Sequence, residues 1–451
     1  MATGALSSPW AIKSATTKGA AFTAPPSDAR HFILNIIEYK QAAPPEQIGW
    51  GRLFQALFLA KKVTQAPIAY PFLENERFKT YFCAKPKPPP PIMSRFFSLK
   101  IKALGKESND CTVLTFEMPE KLRSAFAYKA GQHLTLRAHV SGEEVRRSYS
   151  LCSAPHEGQW RVAIKRVEGG AFSNFANDVL RVGDDLEAMP PMGRFTHDAK
   201  PGQPRHYVAI AAGSGITPIM AIAKNVLENE PNSCFSLLYG NKSVGNILFR
   251  EVLEGLKNKY IDRLELLYFL TREQTELPLF NGRIDHDKLS TIFGTLIDPA
   301  EVDAFYLCGP EDLIFSSKDF LTEKGVPSEK VHFELFTPVG AKRQAQQGAP
   351  APKMDGASCH VTVKDGGKTF TFDLPIGTDA LLDAALKQGA DLPFACKGGV
   401  CGTCKARLLE GEVDMPINYA LESDEISAGY ILACQAFPKS EKLTLDFDQA
   451  L

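Results

Sequence analysis

Four cysteines near the end of the chain have the spacing of a redox-active metal centre. Cys396, Cys401 and Cys404 form C-x4-C-x2-C, with Cys434 following at a distance, the arrangement by which four thiolates hold a 2Fe-2S cluster. The loop between them contains Gly398, Gly399 and Gly402, and a backbone that wraps a cluster must turn sharply and aim N–H groups at sulfur. A zinc site or a disulfide pair competes. Zinc usually draws on paired C-x2-C units, however, and only Cys401 and Cys404 form one here. A one-electron centre needs an electron source, and the upstream sequence offers one.

Two further groups of residues suit organic cofactors. In Arg147-Ser148-Tyr149-Ser150 a guanidinium can fork onto a pyrophosphate, an aromatic ring can lie against an isoalloxazine, and a small hydroxyl can bond a flavin nitrogen. Gly169-Gly170, followed by Ser173 in a turn that opens a helix, makes an anion site. Each motif alone reads equally well as an ordinary strand or turn. The apolar run His206–Ala212 leads into Gly213-Ser214-Gly215-Ile216-Thr217-Pro218. There Gly213 and Gly215 let backbone approach a pyrophosphate, Thr217 adds a donor, and Pro218 stands where a Rossmann fingerprint has its third glycine. Tyr239, Asn241 and Lys242 end a second strand, and Cys308, Gly309 and Pro310 end a later one, at the carboxyl edge where such sheets bind ligands. Lys242, with Arg250 or Arg272, can meet a 2'-phosphate, and no acidic residue follows the second strand at once. NADPH is therefore expected over NADH. Without the motif, Cys308 would read as a small buried hydrophobe and Lys242 as a solvated lysine.

The elements that must position these residues are legible in the periodicity. Between Arg95 and His197 the apolar residues alternate, as in Leu114, Phe116 and Met118 or Leu134 and Leu136, which predicts an antiparallel β-barrel over residues 93–200 for the flavin. Strands at 235–239, 264–270, 304–308 and 331–335 alternate with helical stretches and predict a doubly wound α/β nucleotide domain over 201–336. Residues 337–358, rich in Ala, Gly, Gln and Pro, read as a flexible linker. A hairpin around Asp365-Gly366-Gly367 and the apolar stripe Leu381, Leu382, Ala385, Leu386 then precede the cysteine loop in a third, α+β domain over 359–451. Residues 1–92, with the stiff run Lys85–Pro91, read as a poorly ordered extension, from an early start codon or as a docking or targeting segment. With 51 basic and 52 acidic side chains and a net charge of −1, the chain lacks the basic excess of a nucleic-acid protein. No apolar run reaches membrane-spanning length. Ten cysteines, six of them scattered, fit a reduced, cytoplasmic protein.

R-x-Y-S followed by G-G-x-x-S resembles the ferredoxin-NADP reductase family of flavoproteins. The resemblance implies flavin contacts at Arg147, Tyr149, Ser150, Gly170 and Ser173, a nicotinamide beside Cys308, Gly309 and Pro310, and Glu334 and Phe336 near the flavin. The paired strands, helix and cysteine loop at the end of the chain resemble a β-grasp ferredoxin. The three modules in this order resemble reductase components of bacterial oxygenases, with FAD expected and FMN left open. AYKAGQHLTL (127–136), GEEVRRSYSLC (142–152), AIAAGSGITP (209–218), LLYGNKS (237–243), the stretch from Asp383 to Val413 and AGYILACQA (428–436) are similar to the reductase subunits of phenylacetyl-CoA epoxidases. That family implies phenylacetate catabolism, with electrons passing from NADPH through FAD and a 2Fe-2S cluster to a separate di-iron oxygenase subunit. A nicotinamide gives two electrons and a 2Fe-2S centre takes one, so a flavin must stand between them. Catalysis is then positioning by Tyr149, Ser150, Cys308 and Phe336, with no acid or base residue expected. A reductase for a ring-hydroxylating oxygenase shares every motif. A ferredoxin-type carrier or redox sensor without turnover would need a dead nucleotide site. Glu422, Asp424 and Glu425, like Glu410, Glu412 and Asp414, read first as a solvated face and second as a dock for a basic partner.

Overall fold

The computed structural model describes residues 96–336 and 357–449. The expected extension lies outside them, as do residues 337–356 of the expected linker. Strands β1 (Phe97–Ser108), β2 (Cys111–Phe116), β3 (His133–Val140), β4 (Glu143–Ser150), β5 (Trp160–Lys165) and β6 (Asp185–Ala188) pair in the order β4-β3-β6-β1-β2-β5. All of these pairings are antiparallel. A bridge between Leu151 and Val162 joins the two edges and closes the sheet into a barrel. Period-two side chains fill it: Leu99 and Ile101, Leu114 and Phe116, Leu134 and Leu136, Val162 and Ile164 are all buried in one core. Helix α1 (Ala171–Asp178) adds Phe172 and Ala176 to the same core, four residues apart and therefore on one face.

The second sheet is wholly parallel. Strands β7 (His206–Ala212), β8 (Cys234–Asn241), β9 (Leu264–Leu270), β10 (Ala304–Gly309) and β11 (Val331–Leu335) lie in the order β11-β10-β7-β8-β9. Helices α2 (Ile216–Asn229) and α3 (Arg250–Lys259) cover one face, where Ala209 and Leu237 meet Ile219 and Leu253. Helices α4 (His286–Thr295) and α5 (Glu311–Glu323) cover the other, where Val208 and Phe305 meet Ile292 and Ile314. Burial on both faces explains why β7 is apolar without interruption. The strand order reverses between β7 and β10, which opens a crevice beyond their carboxyl ends.

The third sheet contains β12 (Ser358–Asp365), β13 (Lys368–Pro375), β14 (Lys405–Glu410), β16 (Tyr430–Leu432) and β18 (Lys442–Asp446), in the order β13-β12-β18-β14-β16. Strands β15 (Val413–Asp414) and β17 (Phe437–Pro438) form a separate pair. Helix α6 (Leu381–Lys387) buries Leu381, Leu382 and Ala385 against the sheet, and α7 (Ser423–Ser427) follows the cysteine loop. Parallel pairing of β12 with β18, flanked by antiparallel neighbours, gives the β-grasp arrangement. Among the described residues no helix is long and apolar enough to cross a membrane.

Barrel and parallel sheet share a joint. Ala130, Cys152 and Phe195 of the barrel join the core on the α2 side. Beneath them the imidazole of His197 donates from Nε2 to Glu230 at 2.7 Å and accepts at Nδ1 from the Tyr306 hydroxyl at 2.9 Å. Tyr207 and Ser233 donate to the same carboxylate at 3.0 and 2.8 Å, and the Lys200 amide does so at 3.0 Å. Burial holds His197 below its ordinary 6.5, and Glu230 sits below 4.5 because those donors outweigh its own burial. Both groups bind protons more readily in the unfolded chain. The stability they confer is complete above pH 6.5 and is lost as the pH falls through that value and then below 4.5. The thermal midpoint is expected to drop between pH 7.5 and 5.5. Glu230→Gln, which turns an amide toward four donors, is expected to lower stability by about 2 kcal/mol in thermal melts at neutral pH. An unchanged midpoint in the variant would show that the joint does not rest on this carboxylate.

Candidate cofactor and electron-transfer site

The four cysteines of the C-terminal sheet converge. Cys396 and Cys401 are neighbours, a contact that holds the Cys401 thiol below and the Cys396 thiol above the ordinary 9.0, and Cys404 is raised by the neighbouring Cys434. The Gly398 amide donates to the Cys396 sulfur at 3.3 Å, as a loop that wraps a cluster requires. The loop is braced on three sides: Gln435 donates to the Lys397 carbonyl at 2.9 Å, Lys397 reaches Asp383 of α6 at 2.7 Å, and the Tyr419 amide bonds Gly399 at 3.0 Å. Gly399 has φ +75°, and a Cβ there would lie 3.0 Å from the Ile417 carbonyl, so only glycine fits. Four crowded sulfurs on a glycine-shaped loop fit a 2Fe-2S cluster.

Strand alternation divides the Arg-Arg-Ser-Tyr-Ser run at the end of β4 between two faces. Tyr149 turns toward the barrel core, its ring 5.5 Å from Phe172. Arg147 shares that face; its guanidinium bonds the Arg146 carbonyl at 2.7 Å and makes no ion pair among the described residues, which leaves a planar cation for a phosphate. On the opposite face Ser148 meets Thr135 at 3.2 Å, and Ser150 donates to Glu334 at 2.8 Å. Glu334 stands on β11 in register with Cys308 of β10, so Ser150, Glu334 and Cys308 come together from three strands of two sheets. Burial, followed by the nearby Glu334, keeps the Cys308 thiol well above 9.0, and it stays protonated. Phe336 follows β11 and packs on the α2-side core.

The glycine turn after β7 also takes the expected form. Gly215 lies directly against the Cys308 carbonyl, where any side chain would collide, so the turn and the β10 terminus approach closely across the switch point. Tyr239 donates to the Gly213 carbonyl at 2.9 Å and Thr217 to Ser214 at 3.1 Å. These two side chains shape the turn rather than point out of it, and Pro218 is buried in the first turn of α2. Asn241 is buried at the end of β8 beside the Tyr239 hydroxyl, and its Nδ2 has no hydrogen bond of good geometry among the described residues. Lys242 and Arg272 are exposed with no side-chain partner among the described residues, whereas Arg250 is engaged by Glu254 at 2.7 Å. Gly309 closes β10 and Pro310 caps α5. In the barrel, Gly169 takes φ +69° and Gly170 caps α1, while Ser173 accepts from the Val167 amide at 3.1 Å and donates to the Gly170 carbonyl at 3.3 Å. That hydroxyl is committed to the turn.

The barrel, the parallel sheet and the cysteine loop meet around a cleft of about 1190 Å³, lined by His133, Arg194, Glu334, Cys401, Thr403 and Tyr419 among others. His133 is buried, with Nδ1 3.6 Å from Glu334 and Nε2 without a partner among the described residues. Burial opposes its protonation, but Glu334 and then Cys401 raise its pKa above 6.5. Thr135 touches Thr403 at 3.2 Å, next to Cys404. No sequence motif marks His133 or Arg146 for a role, although each lies in a stretch similar to a known family. Alternation from Ser150 would have placed Arg146 on the same face. The acidic residues at α7 divide: Glu422 and Asp424 are exposed and Glu425 is buried, and Arg194 of the barrel meets Glu425 at 2.9 Å, Asp424 at 3.5 Å and Glu422 at 3.8 Å. Their basic partner lies in the same chain.

Three family models match in the same order: an oxidoreductase FAD-binding domain over residues 98–197, an oxidoreductase NAD-binding domain over 209–319 and a 2Fe-2S iron-sulfur cluster binding domain over 363–439. The chain is 41% identical over 356 residues to a component of the 1,2-phenylacetyl-CoA epoxidase of Escherichia coli (strain K12), covering 79% of this chain and 99% of that protein. It is 33% identical over 367 residues to the ferredoxin reductase component of a 3-ketosteroid-9-alpha-monooxygenase from Rhodococcus rhodochrous, covering 79% and 98%. An intact type IV self-sufficient cytochrome P450 monooxygenase shares the fold, with a TM-score of 0.56 and 23% identity over 78% of this chain and 41% of that one. The chain belongs to the family of oxygenase reductase components that carry FAD, NAD(P)H and a 2Fe-2S cluster on one polypeptide.

Proposed function

We propose that this chain draws electrons from NADPH and delivers them, through FAD and a 2Fe-2S cluster, to a separate di-iron oxygenase subunit that epoxidises phenylacetyl-CoA. The observation that carries the reading is the meeting of Ser150, Glu334 and Cys308, with Glu334 lining a cleft that the Cys401 loop also lines. When bound, the flavin supplies the exchange between a two-electron hydride and single electrons, and the cluster supplies a one-electron store.

The residues position. Arg147 and the Gly169-Gly170 turn hold the phosphate end of the flavin, and Tyr149 and Ser150 orient its ring. Phe336 stands beside the same site. Glu334 fixes the Ser150 hydroxyl, and Cys308, neutral and small, leaves room for the nicotinamide at the end of β10. Gly213, Gly215, Gly309 and Pro310 form the backbone cradle of the dinucleotide, with Asn241 at the end of β8. Lys242 and Arg272 meet the 2'-phosphate. Cys396, Cys401, Cys404 and Cys434 ligate the cluster. Domains at 93–200, 201–336 and 359–451 are the units of this division of labour. A second reading, the reductase of another oxygenase, has the 33% match to a 3-ketosteroid monooxygenase component in its favour.

Anaerobic NADPH titration of the purified protein should bleach the flavin and then produce the low-temperature EPR signal of a reduced 2Fe-2S cluster. Flavin reduction without that signal would refute the four-cysteine assignment. Reconstitution with the oxygenase subunits of a phenylacetyl-CoA epoxidase should yield NADPH-dependent epoxide, and turnover only with another oxygenase would favour the second reading. Ser150→Ala should retain bound flavin but slow its reduction by NADPH about 10- to 100-fold in stopped-flow absorbance, since small misplacements carry costs of that order. Lys242→Ala and Arg272→Ala should each lower kcat/KM for NADPH about tenfold, the effect of losing ~1.4 kcal/mol of phosphate contact. With NADH they should change little, and equal losses with both nucleotides would refute the 2'-phosphate assignment.

A further inference from the structure

The first arginine of Arg146-Arg147 makes contacts that no motif describes. Its side chain is only 5% exposed, far below what is usual for a surface strand. From β4 it crosses to the segment that leads into the cysteine loop: Nη2 meets the Asp391 carboxylate at 2.8 Å, Nη1 donates to the Leu392 carbonyl at 3.0 Å, and the guanidinium stacks 4.3 Å from the centre of the Phe394 ring. Glu144 holds its Nε at 2.7 Å and Phe96 lies beneath it at 5.1 Å. All of its faces are thus occupied, and three of its contacts fall within the five residues before Cys396. On the same face of the barrel, two residues along on the neighbouring strand, Thr135 touches Thr403. At the far side of the cleft Arg194 binds the acidic residues of α7.

We infer that Arg146 is a positioning residue for electron transfer: it docks the 2Fe-2S domain on the flavin barrel through the Asp391–Phe394 segment, with Arg194 as a second, more exposed clamp. This rests on the proposed path from flavin to cluster. Arg146 makes and breaks no bond and carries no electron. Each hydride brings two electrons, which leave singly for the cluster, and Arg146 fixes the geometry in which they cross. In both clamps the cations belong to the reductase part and the anions to the ferredoxin part, so the docked arrangement is held by charge across a seam that salt weakens. A planar fork stacked on an aromatic ring is not reproduced by lysine.

The test uses the full-length holoprotein. Stopped-flow mixing with NADPH under anaerobic conditions separates flavin bleaching from cluster reduction, and small-angle scattering reports the spread of the domains. Arg146→Met should leave the bleaching phase within about twofold, slow cluster reduction about tenfold, which corresponds to ~1.4 kcal/mol, and increase the radius of gyration. Arg146→Lys should give an intermediate effect. Asp391→Asn, on an exposed partner that leaves the barrel untouched, should reproduce both changes in direction and covers the case in which Arg146→Met does not fold. Raising the salt should slow the second phase in the wild type more than in the variants. Expansion without slower cluster reduction would overturn the positioning role, and slower cluster reduction without expansion would overturn docking as its cause. Failure of the wild type to bleach with NADPH would instead count against the proposed function.

Discussion

The hydrogen bond from Ser150 to Glu334 ties the end of a barrel strand to the last strand of a parallel sheet. Much of the remaining structure serves to bring those two residues together. The barrel must close so that β4 ends beside the sheet, and the strand order must reverse between β7 and β10 so that the crevice opens at that point. The His197–Glu230 network and the shared core around Phe195 keep the two sheets in a fixed relation. A flavin reductase needs this rigidity because its chemistry belongs to cofactors, and the protein contributes distance and orientation.

Against that rigid pair, the ferredoxin part is attached by different physics. Its own core is apolar and self-contained, whereas many of its contacts to the reductase part are charged or hydroxyl-bearing: Arg146 to Asp391, Arg194 to α7, Thr135 to Thr403. Van der Waals contact is present too, where Val400 and Tyr419 reach the parallel sheet and α5. A seam rich in polar contacts is cheaper to open in water than an apolar core, because each group finds water when it separates. That suits a carrier that must face a flavin and then a second protein.

Several side chains have roles different from those their motifs suggest. Tyr239, Thr217 and Ser173 spend their hydroxyls on backbone carbonyls and amides, and so build the turns that lead into α2 and α1. Cys308 is neutral and buried, so its value is its small size at the close approach of Gly215. In each case the sequence motif marks a shape, and the side chain within it supports that shape.

Local pattern determined a great deal. Period-two alternation gave the barrel strands, a nearly continuous apolar run gave β7, alternation with helical stretches gave β8 to β11, with Leu264–Leu270 and Val331–Leu335 falling where expected, and the spacing from Cys396 to Cys404 gave the cluster loop. These features depend on neighbours in the chain, and the period of burial is written into it. Tertiary structure alone decided which distant residues meet. Nothing near Arg146 in the sequence points to Asp391, 245 residues away, and Arg194 lies far from the acidic residues it binds. The solvated reading holds for Glu422 and Asp424, which are exposed, and fails for Glu425, which is buried against Arg194. Charge pairing across domains is set by how the sheets stack, and a lone arginine carries no periodic signal to announce its partner.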